Sequence, residues 1–400
     1  RKFMKLFKSL LIAPATLGLL APMSATANEL NIAEVSAYSS SEEVQNISEF
    51  YPKELAVTNS RVDGLEVRMN EIEAGSFSET TTASFSADFY VGGVDGGTTA
   101  TNNPVQAAYG FQIDLNTSFT GEDSLDISID AGNSISGTTA SLDEFDGNAT
   151  ADKLKVDGVS YTFPVAGATV FVADNGDASA LFTTACTYGG PTNTLDDCGN
   201  VNAAPSSGGV AFGSSYDFGN GFAAAVGYQA VDAEESQGLM SDESTDTIAF
   251  NGSYTGSNYG VSITYASIED GVGVANNMGA EKEDTYTAFN GYYTPEGEGL
   301  PSISVGYEVG DDASAAAASD EITSFFVGLQ WDEVGPGSLG VAMGHSNTAE
   351  SSDEEYMYEA YYSYAINDGM TITPVIYTKE SATSGQDDAS GFIVKTSFSF

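Results

Sequence analysis

Apolar and polar residues alternate with a period of two over much of this chain, which predicts strands with one apolar and one polar face. From Ser76 onward the alternation gives sixteen strands, near 79–91, 107–119, 124–131, 158–165, 167–173, 208–218, 221–231, 245–254, 258–268, 284–294, 301–310, 321–331, 337–345, 355–365, 370–379 and 389–400. Their connections alternate too. Short turns stand at 120–123, 166, 219–220, 255–257, 295–300, 332–336 and 367–369. Long loops, acidic or rich in Gly, Ser and Ala, fall at 92–106, 132–157, 174–207, 232–244, 269–283, 311–320, 346–354 and 380–388. An even strand count, with short turns on one side and long loops on the other, is the pattern of a membrane-spanning barrel. The expected fold is all-β: a sixteen-stranded antiparallel transmembrane β-barrel over 76–400, preceded by a short coiled-coil helix. A soluble β protein of two or three domains is the competing class. It has no need of that parity, nor of aromatic strand faces such as Tyr356, Tyr358, Tyr362 and Tyr364, which suit interfacial girdles.

The last strand carries Phe392, Val394, Thr396, Phe398 and Phe400 on one face, with Ile393, Lys395, Ser397 and Ser399 on the other. A soluble domain rarely leaves a bare aromatic at a fraying end. Phe398 and Phe400 are therefore the expected assembly signal, read by the barrel-assembly machinery as in other outer-membrane barrels. At the other end, Lys5 and Lys8 precede the apolar run Leu10 to Leu20, which leads to Ala25, Thr26 and Ala27. A basic stretch, a short apolar stretch and a small-residue site predict a signal peptide over 1–27. The run is too short to span a bilayer.

Residues 28–54 are polar and acidic, a periplasmic segment in this reading. After them, Leu55, Thr58, Val62, Leu65, Met69 and Ile72 recur at alternating spacings of three and four, the heptad seam of a coiled coil over 55–75. Gly64 weakens such a helix by about 1 kcal/mol, so it needs partners to form. Arg61, Val62, Leu65 and Glu66 are the candidate trimer contacts, with Arg and Glu pairing between helices. An ordinary amphipathic helix with surface charges is the alternative.

Charge narrows the class. The chain has 12 Lys plus Arg and 57 Asp plus Glu, and four of the basic residues (Arg1, Lys2, Lys5, Lys8) precede the cleavage site. So acidic a protein is a poor partner for nucleic acid, whose phosphates need basic side chains, or for an anionic membrane surface. Disorder is the usual reading of such a composition, yet most of the 21 Tyr and 22 Phe sit within the periodic strands while the acids gather in loops. Two cysteines, Cys186 and Cys198, lie in one Gly/Pro/Asn-rich loop. In an exported protein a disulfide is the default expectation; half of a metal site is the alternative. His345 is the single histidine and is read as incidental, which leaves poor material for a Ser/His or Asp/His catalytic pairing. Acidic runs such as Asp353 to Glu355 lack the spacing of a dedicated Ca²⁺ site. No enzyme, cofactor or metal is expected.

The stretch Asn59 to Arg68, followed by Glu71 to Thr82, resembles the coiled-coil-to-barrel junction of cyanobacterial outer-membrane porins, a family similar to carbohydrate-selective porins. In that family a helix reading like R-V-D-x-L-E-x-R runs into F-S-x-T-T at the first strand. Val159 to Val165 and Thr169 to Val172 resemble the family's adjacent strands before the constriction loop. The resemblance covers most of residues 28–400. It implies a homotrimer in outer-membrane lipid that passes small hydrophilic solutes and ions. The family carries an S-layer-homology module before the coiled coil; here residues 28–54 look like a truncated remnant, with peptidoglycan as the partner it implies.

In sixteen-stranded porins the third external loop folds into the lumen. Here that loop, 174–207, is the longest, holds both cysteines and carries Asp174, Asp177, Asp196 and Asp197, the candidate constriction residues. A loop outside the barrel is the alternative. From Ser76 onward there are five lysines (Lys153, Lys155, Lys282, Lys379, Lys395) and no arginine, so the ring of basic side chains that an anion-selective pore needs cannot be built. The functional expectation is a cation-preferring diffusion pore, with a sugar-selective porin or a plugged barrel serving as an envelope anchor as rivals.

Overall fold

The computed structural model describes residues 80–96, 105–133, 144, 147–231, 233, 235–270, 282–297, 299–313, 320–350, 352–381 and 386–400. The signal peptide, the polar segment over 28–54 and the coiled coil with Arg61, Val62, Leu65 and Glu66 lie outside them. Sixteen strands follow in order: β1 (Thr81–Asp95), β2 (Gln106–Thr117), β3 (Ser124–Gly132), β4 (Lys155–Val165), β5 (Ala168–Asp174), β6 (Val210–Gly219), β7 (Phe222–Val231), β8 (Thr245–Thr255), β9 (Tyr259–Asp270), β10 (Lys282–Tyr293), β11 (Ser302–Asp311), β12 (Glu321–Val334), β13 (Gly337–Ala349), β14 (Met357–Asn367), β15 (Met370–Lys379) and β16 (Ala389–Ser399). Each pairs antiparallel with its sequence neighbours, and β16 pairs with β1 to close the barrel. Every strand expected from the alternation is present.

The alternation resolves into an inside and an outside. Along β11, Ser302, Ser304, Gly306, Glu308 and Gly310 are buried, whereas Ile303, Val305 and Tyr307 are exposed. Polar inward and apolar outward is the reverse of a soluble barrel and is the polarity of a transmembrane one. Closure leaves no strand edge unpaired, as a spanning sheet requires. Hairpins on the short-turn side use left-handed residues: Ala166 and Gly167 (φ 51° and 88°) join β4 to β5, and Asn220 and Gly221 (φ 54° and 87°) join β6 to β7. Two successive positive φ values give the type I′ geometry whose twist matches the strands.

At the closing seam, Phe85 and Phe400 exchange backbone hydrogen bonds of 2.9 and 3.0 Å, and their rings stack with centroids 5.7 Å apart. Phe398 meets Phe89 edge to face. Exposed rings, among them Phe218, Phe222, Tyr259, Tyr293 and Tyr364, recur toward the short-turn ends of the strands, as an interfacial girdle would. Inward-facing rings are treated differently. Phe171, Tyr286, Tyr361 and Tyr377 each pair across the sheet with a glycine, namely Gly213, Gly310, Gly340 and Gly391. A Cβ on any of those glycines would lie 2.1–2.6 Å from the ring. The rings thus lie along the wall rather than across the lumen.

Candidate functional site

The connection from β5 to β6, residues 175–209, is here called L3. Its position follows from where its backbone hydrogen bonds go, since each buried N–H needs a partner. The amides of Ala178, Thr183, Ala185, Thr187 and Gly189 donate to Gln229 Oε1 on β7, Asn251 Oδ1 on β8, Ser262 Oγ on β9, Ser304 Oγ on β11 and Gln330 Oε1 on β12, at 2.9–3.0 Å. From 183 to 189 every second residue donates, so the segment is extended and turns one edge to the barrel wall. L3 therefore runs inside the barrel, across the inward faces of successive strands.

Three carboxylates hold the rest of the loop. Glu359 on β14 accepts from Tyr188 Oη and Thr192 Oγ1, both at 2.6 Å. Glu308 on β11 accepts from the amides of Asn202 and Ala203 at 2.8 Å and from Asn202 Nδ2 at 2.9 Å. Glu144, from the connection between β3 and β4, accepts from Thr194 Oγ1 at 2.8 Å and pairs with Lys379 at 3.2 Å. Beneath the loop, Tyr188 packs with Phe326 and Tyr361. Burial, together with the charge of Glu359, holds the Tyr188 phenol protonated far above its ordinary range. Cys186 and Cys198 are joined as a disulfide, with Cα atoms 6.5 Å apart, and Asn290 Nδ2 donates to Cys198 O at 2.8 Å.

The four aspartates singled out in the sequence do not stand together. Asp174 ends β5, and Asp177 opens L3; both line a cavity of about 310 Å³ against β3 and β4, shared with Asp126 and Asp157. Asp196 and Asp197 close the tip, both exposed, with Glu308 acting on Asp197. Asp197 is open to water but enclosed by surrounding protein. That enclosure and the Glu308 charge raise its carboxyl to about 6. Burial likewise raises Asp177, with a smaller push from Asp157. His345 packs between Phe325 and Tyr356 and shares a hydrogen bond with Thr348.

Further acids emerge on the inward face of β1 to β3. Asp114 accepts from Gln112 and Ser128, each at 2.7 Å. Asp126 accepts from Asn116 and Ser124 at 2.5 and 2.6 Å. On β2 the inward set Gly110, Gln112, Asp114 and Asn116 alternates with Tyr109, Phe111, Ile113 and Leu115. That polar set lies within a strand and not in an acidic loop, so composition alone does not single it out. Two of the lysines take up specific partners: Lys395 on β16 pairs with Asp88 on β1 at 3.1 Å and lies over the Tyr90 ring, and Lys379 pairs with Glu144.

No protein-family model matches the chain. A curated relative, the uncharacterized protein alr4550 of Nostoc sp., is 26% identical, the match covering 89% of this chain and 72% of the relative. Among solved structures, OprB of Pseudomonas putida superposes with a TM-score of 0.57 at 12% identity, covering 80% of this chain and 94% of OprB. OmpF of Salmonella typhi, solved in complex with daunomycin, gives 0.56 at 10% identity over 80% and 98%. A double mutant of the Rh. blastica porin gives 0.51 at 12% identity over 80% and 100%. The fold is that of the porins. At such identities the likeness bears on the fold alone.

Proposed function

We propose that this protein is an outer-membrane porin through which ions and small hydrophilic solutes diffuse, with cations preferred. The observation that carries the reading is the charge lining the lumen. Asp114 and Asp126 lie on the inward faces of β2 and β3, and Asp174 and Asp177 share a cavity with Asp126, whereas Lys379 and Lys395 are each neutralised by a carboxylate at 3.1–3.2 Å. A water-filled passage lined by one sign of charge, with low-dielectric walls, concentrates counter-ions. The inward aromatics Tyr90, Phe171, Tyr286, Phe326, Tyr361 and Tyr377 are each under 10% exposed, so these rings offer no surface for stacking a sugar. That favours a diffusion pore over a sugar-selective one.

The test is the reversal potential across a tenfold KCl gradient in a planar bilayer. We expect a cation-selective channel, with selectivity reduced several-fold by replacing Asp174, Asp177, Asp196 and Asp197 together with Asn. An anion-selective wild type overturns the reading; an unaltered variant moves the selectivity to the wall acids Asp114 and Asp126.

We propose further that the protein assembles as a homotrimer, exported by its signal peptide, in which the helices over 55–75 pair through Arg61, Val62, Leu65 and Glu66. The heptad seam supports this. Native mass spectrometry in mild detergent should find three copies, and changing Arg61 and Glu66 to Ala should lower the temperature at which they separate. A monomer in that measurement excludes the assembly.

A further inference from the structure

We propose that Glu308 and Glu359 are the positioning residues that hold L3 against the barrel wall, and that the Cys186–Cys198 disulfide is not. The inference rests on the pore reading for its functional consequence, though not for its geometry. L3 has an outgoing limb over 178–189, a tip, and a return limb over 198–203. The backbone amides of the outgoing limb donate to neutral amide and hydroxyl acceptors on the wall. Carboxyl groups take the Tyr188 side chain at the end of that limb, the tip and the 202–203 backbone, beside neutral contacts such as Asn290 Nδ2 to Cys198 O. Tyr188 and Thr192 both donate to Glu359, and Asn202 and Ala203 donate three hydrogen bonds to Glu308.

Each of these carboxyl groups gathers two or three donors from L3 on a single side chain. Burial raises the cost of losing these hydrogen bonds, because the donors left behind on L3 would have no water to turn to. Both carboxylates are nearly inaccessible, Glu308 at 1% and Glu359 at 3% exposure. The described partners of these two groups are neutral donors from L3 and, for Glu308, also the Ser324 hydroxyl on β12. Their placement fits a gripping role better than a role in the ion path, which they do not reach.

The disulfide is differently placed. It ties residue 186 to residue 198, limb to limb, and crosses to no strand. Opening it leaves the whole set of wall contacts in place, including the bond from Asn290 to Cys198 O. Its contribution therefore lies in restricting the unfolded chain.

Glu→Gln is the informative substitution. It preserves shape but turns one acceptor arm into a donor: at position 308 it faces the N–H donors of Asn202 and Ala203, and at position 359 one hydroxyl, of Tyr188 or Thr192, must turn to accept and give up its own bond. Each variant is first checked for heat-modifiable migration and barrel circular dichroism, so that only folded protein is compared. Two readouts follow, on wild type, Glu308→Gln, Glu359→Gln and the double Cys186→Ser/Cys198→Ser protein.

In single-channel recordings we expect both Gln variants to flicker between sub-levels while their reversal potential stays cation-selective. The Cys variant should show wild-type steadiness. In hydrogen–deuterium exchange, amides over 188–203 should exchange about tenfold faster or more in the Gln variants, the opening cost of about one lost buried hydrogen bond. In the Cys variant they should be little changed. Flicker and fast exchange in the Cys variant, with quiet Gln variants, would overturn the inference. A wild type that conducts nothing would defeat the pore reading alone, since the exchange measurement still decides what holds the loop.

Discussion

Asp197 is enclosed by surrounding protein and lies near Glu308, and the enclosure first, the neighbouring charge second, raise its carboxyl from 3.8 to about 6. The sign of the consequence is definite. A carboxylate whose pKa is raised takes up its proton early as pH falls, so the negative charge of Asp197 is present above about 6 and lost below it. Aspartates near the ordinary value of about 3.9 stay ionised through that interval. The cation-over-anion permeability ratio should therefore decline between pH 7.5 and 5, with a midpoint near 6. Asp197→Asn should flatten that part of the profile and match the acid limb of the wild type at neutral pH. A profile that moves only near pH 4 would place the controlling charge elsewhere. Asp196 and Asp197 were findable because they sit in a long loop with no basic residue. Asp114 and Asp126 were not, because alternation marks two faces of a strand without saying which one a closed barrel turns inward. Once the barrel closes, the polar face has one place to go.

Among the elements, β16 and L3 teach opposite lessons about what a sequence carries. The strand was legible from period-two alternation alone, as were the other fifteen, because every inward position opposes a lipid-facing one. L3 has no such constraint. Its path is fixed by one polar side chain from each of several strands, such as Gln229, Asn251, Ser262 and Ser304, and each looks like any other polar-face residue until the strands are brought side by side. Its place in the lumen was expected from the family resemblance and not from its own residues. β16 also carries a prediction. Phe400 adds two backbone hydrogen bonds and a stacked ring to the seam with Phe85. At about 1 kcal/mol for each bond and about 1 kcal/mol for the ring pair, deleting Phe400 removes about 3 kcal/mol from the one pairing that closes the sheet. The deletion variant should reach the outer membrane at reduced yield and lose its folded, heat-modifiable form at lower temperature than the wild type. Equal yield and equal thermal behaviour would deny Phe400 a part in closure or assembly.

For the whole molecule the governing quantity is charge: from Ser76 onward 47 acids stand against five lysines. Two kinds of selectivity can arise from such an excess, and ionic strength separates them. If the preference comes from the summed field of loop and wall acids, it depends on how far that field reaches. The Debye length is about 10 Å at 0.1 M salt and about 3 Å at 1 M. Acids on the outer loops would then drop out first, as salt rises, followed by those set back from the ion path. Wall groups that touch the path would persist longest. If instead a cation must lose water and bind to a close pair of carboxylates, screening changes little, because the ion and its ligands are nearer than any Debye length. Among the described acids, Asp126 commits both oxygens, to Asn116 and Ser124, and Asp114 commits Oδ1 twice, to Gln112 and Ser128, which opposes tight inner-sphere binding and favours the field. We therefore expect the reversal potential for a fixed tenfold KCl gradient to shrink steadily as the mean concentration is raised from about 0.03 M to about 1 M, where screening lengths fall below the width of a side chain. Conductance should rise less than in proportion to salt at the dilute end, where the wall charges already hold a pool of cations in the lumen. A reversal potential that stays constant over that range would replace the diffuse field with a discrete binding site.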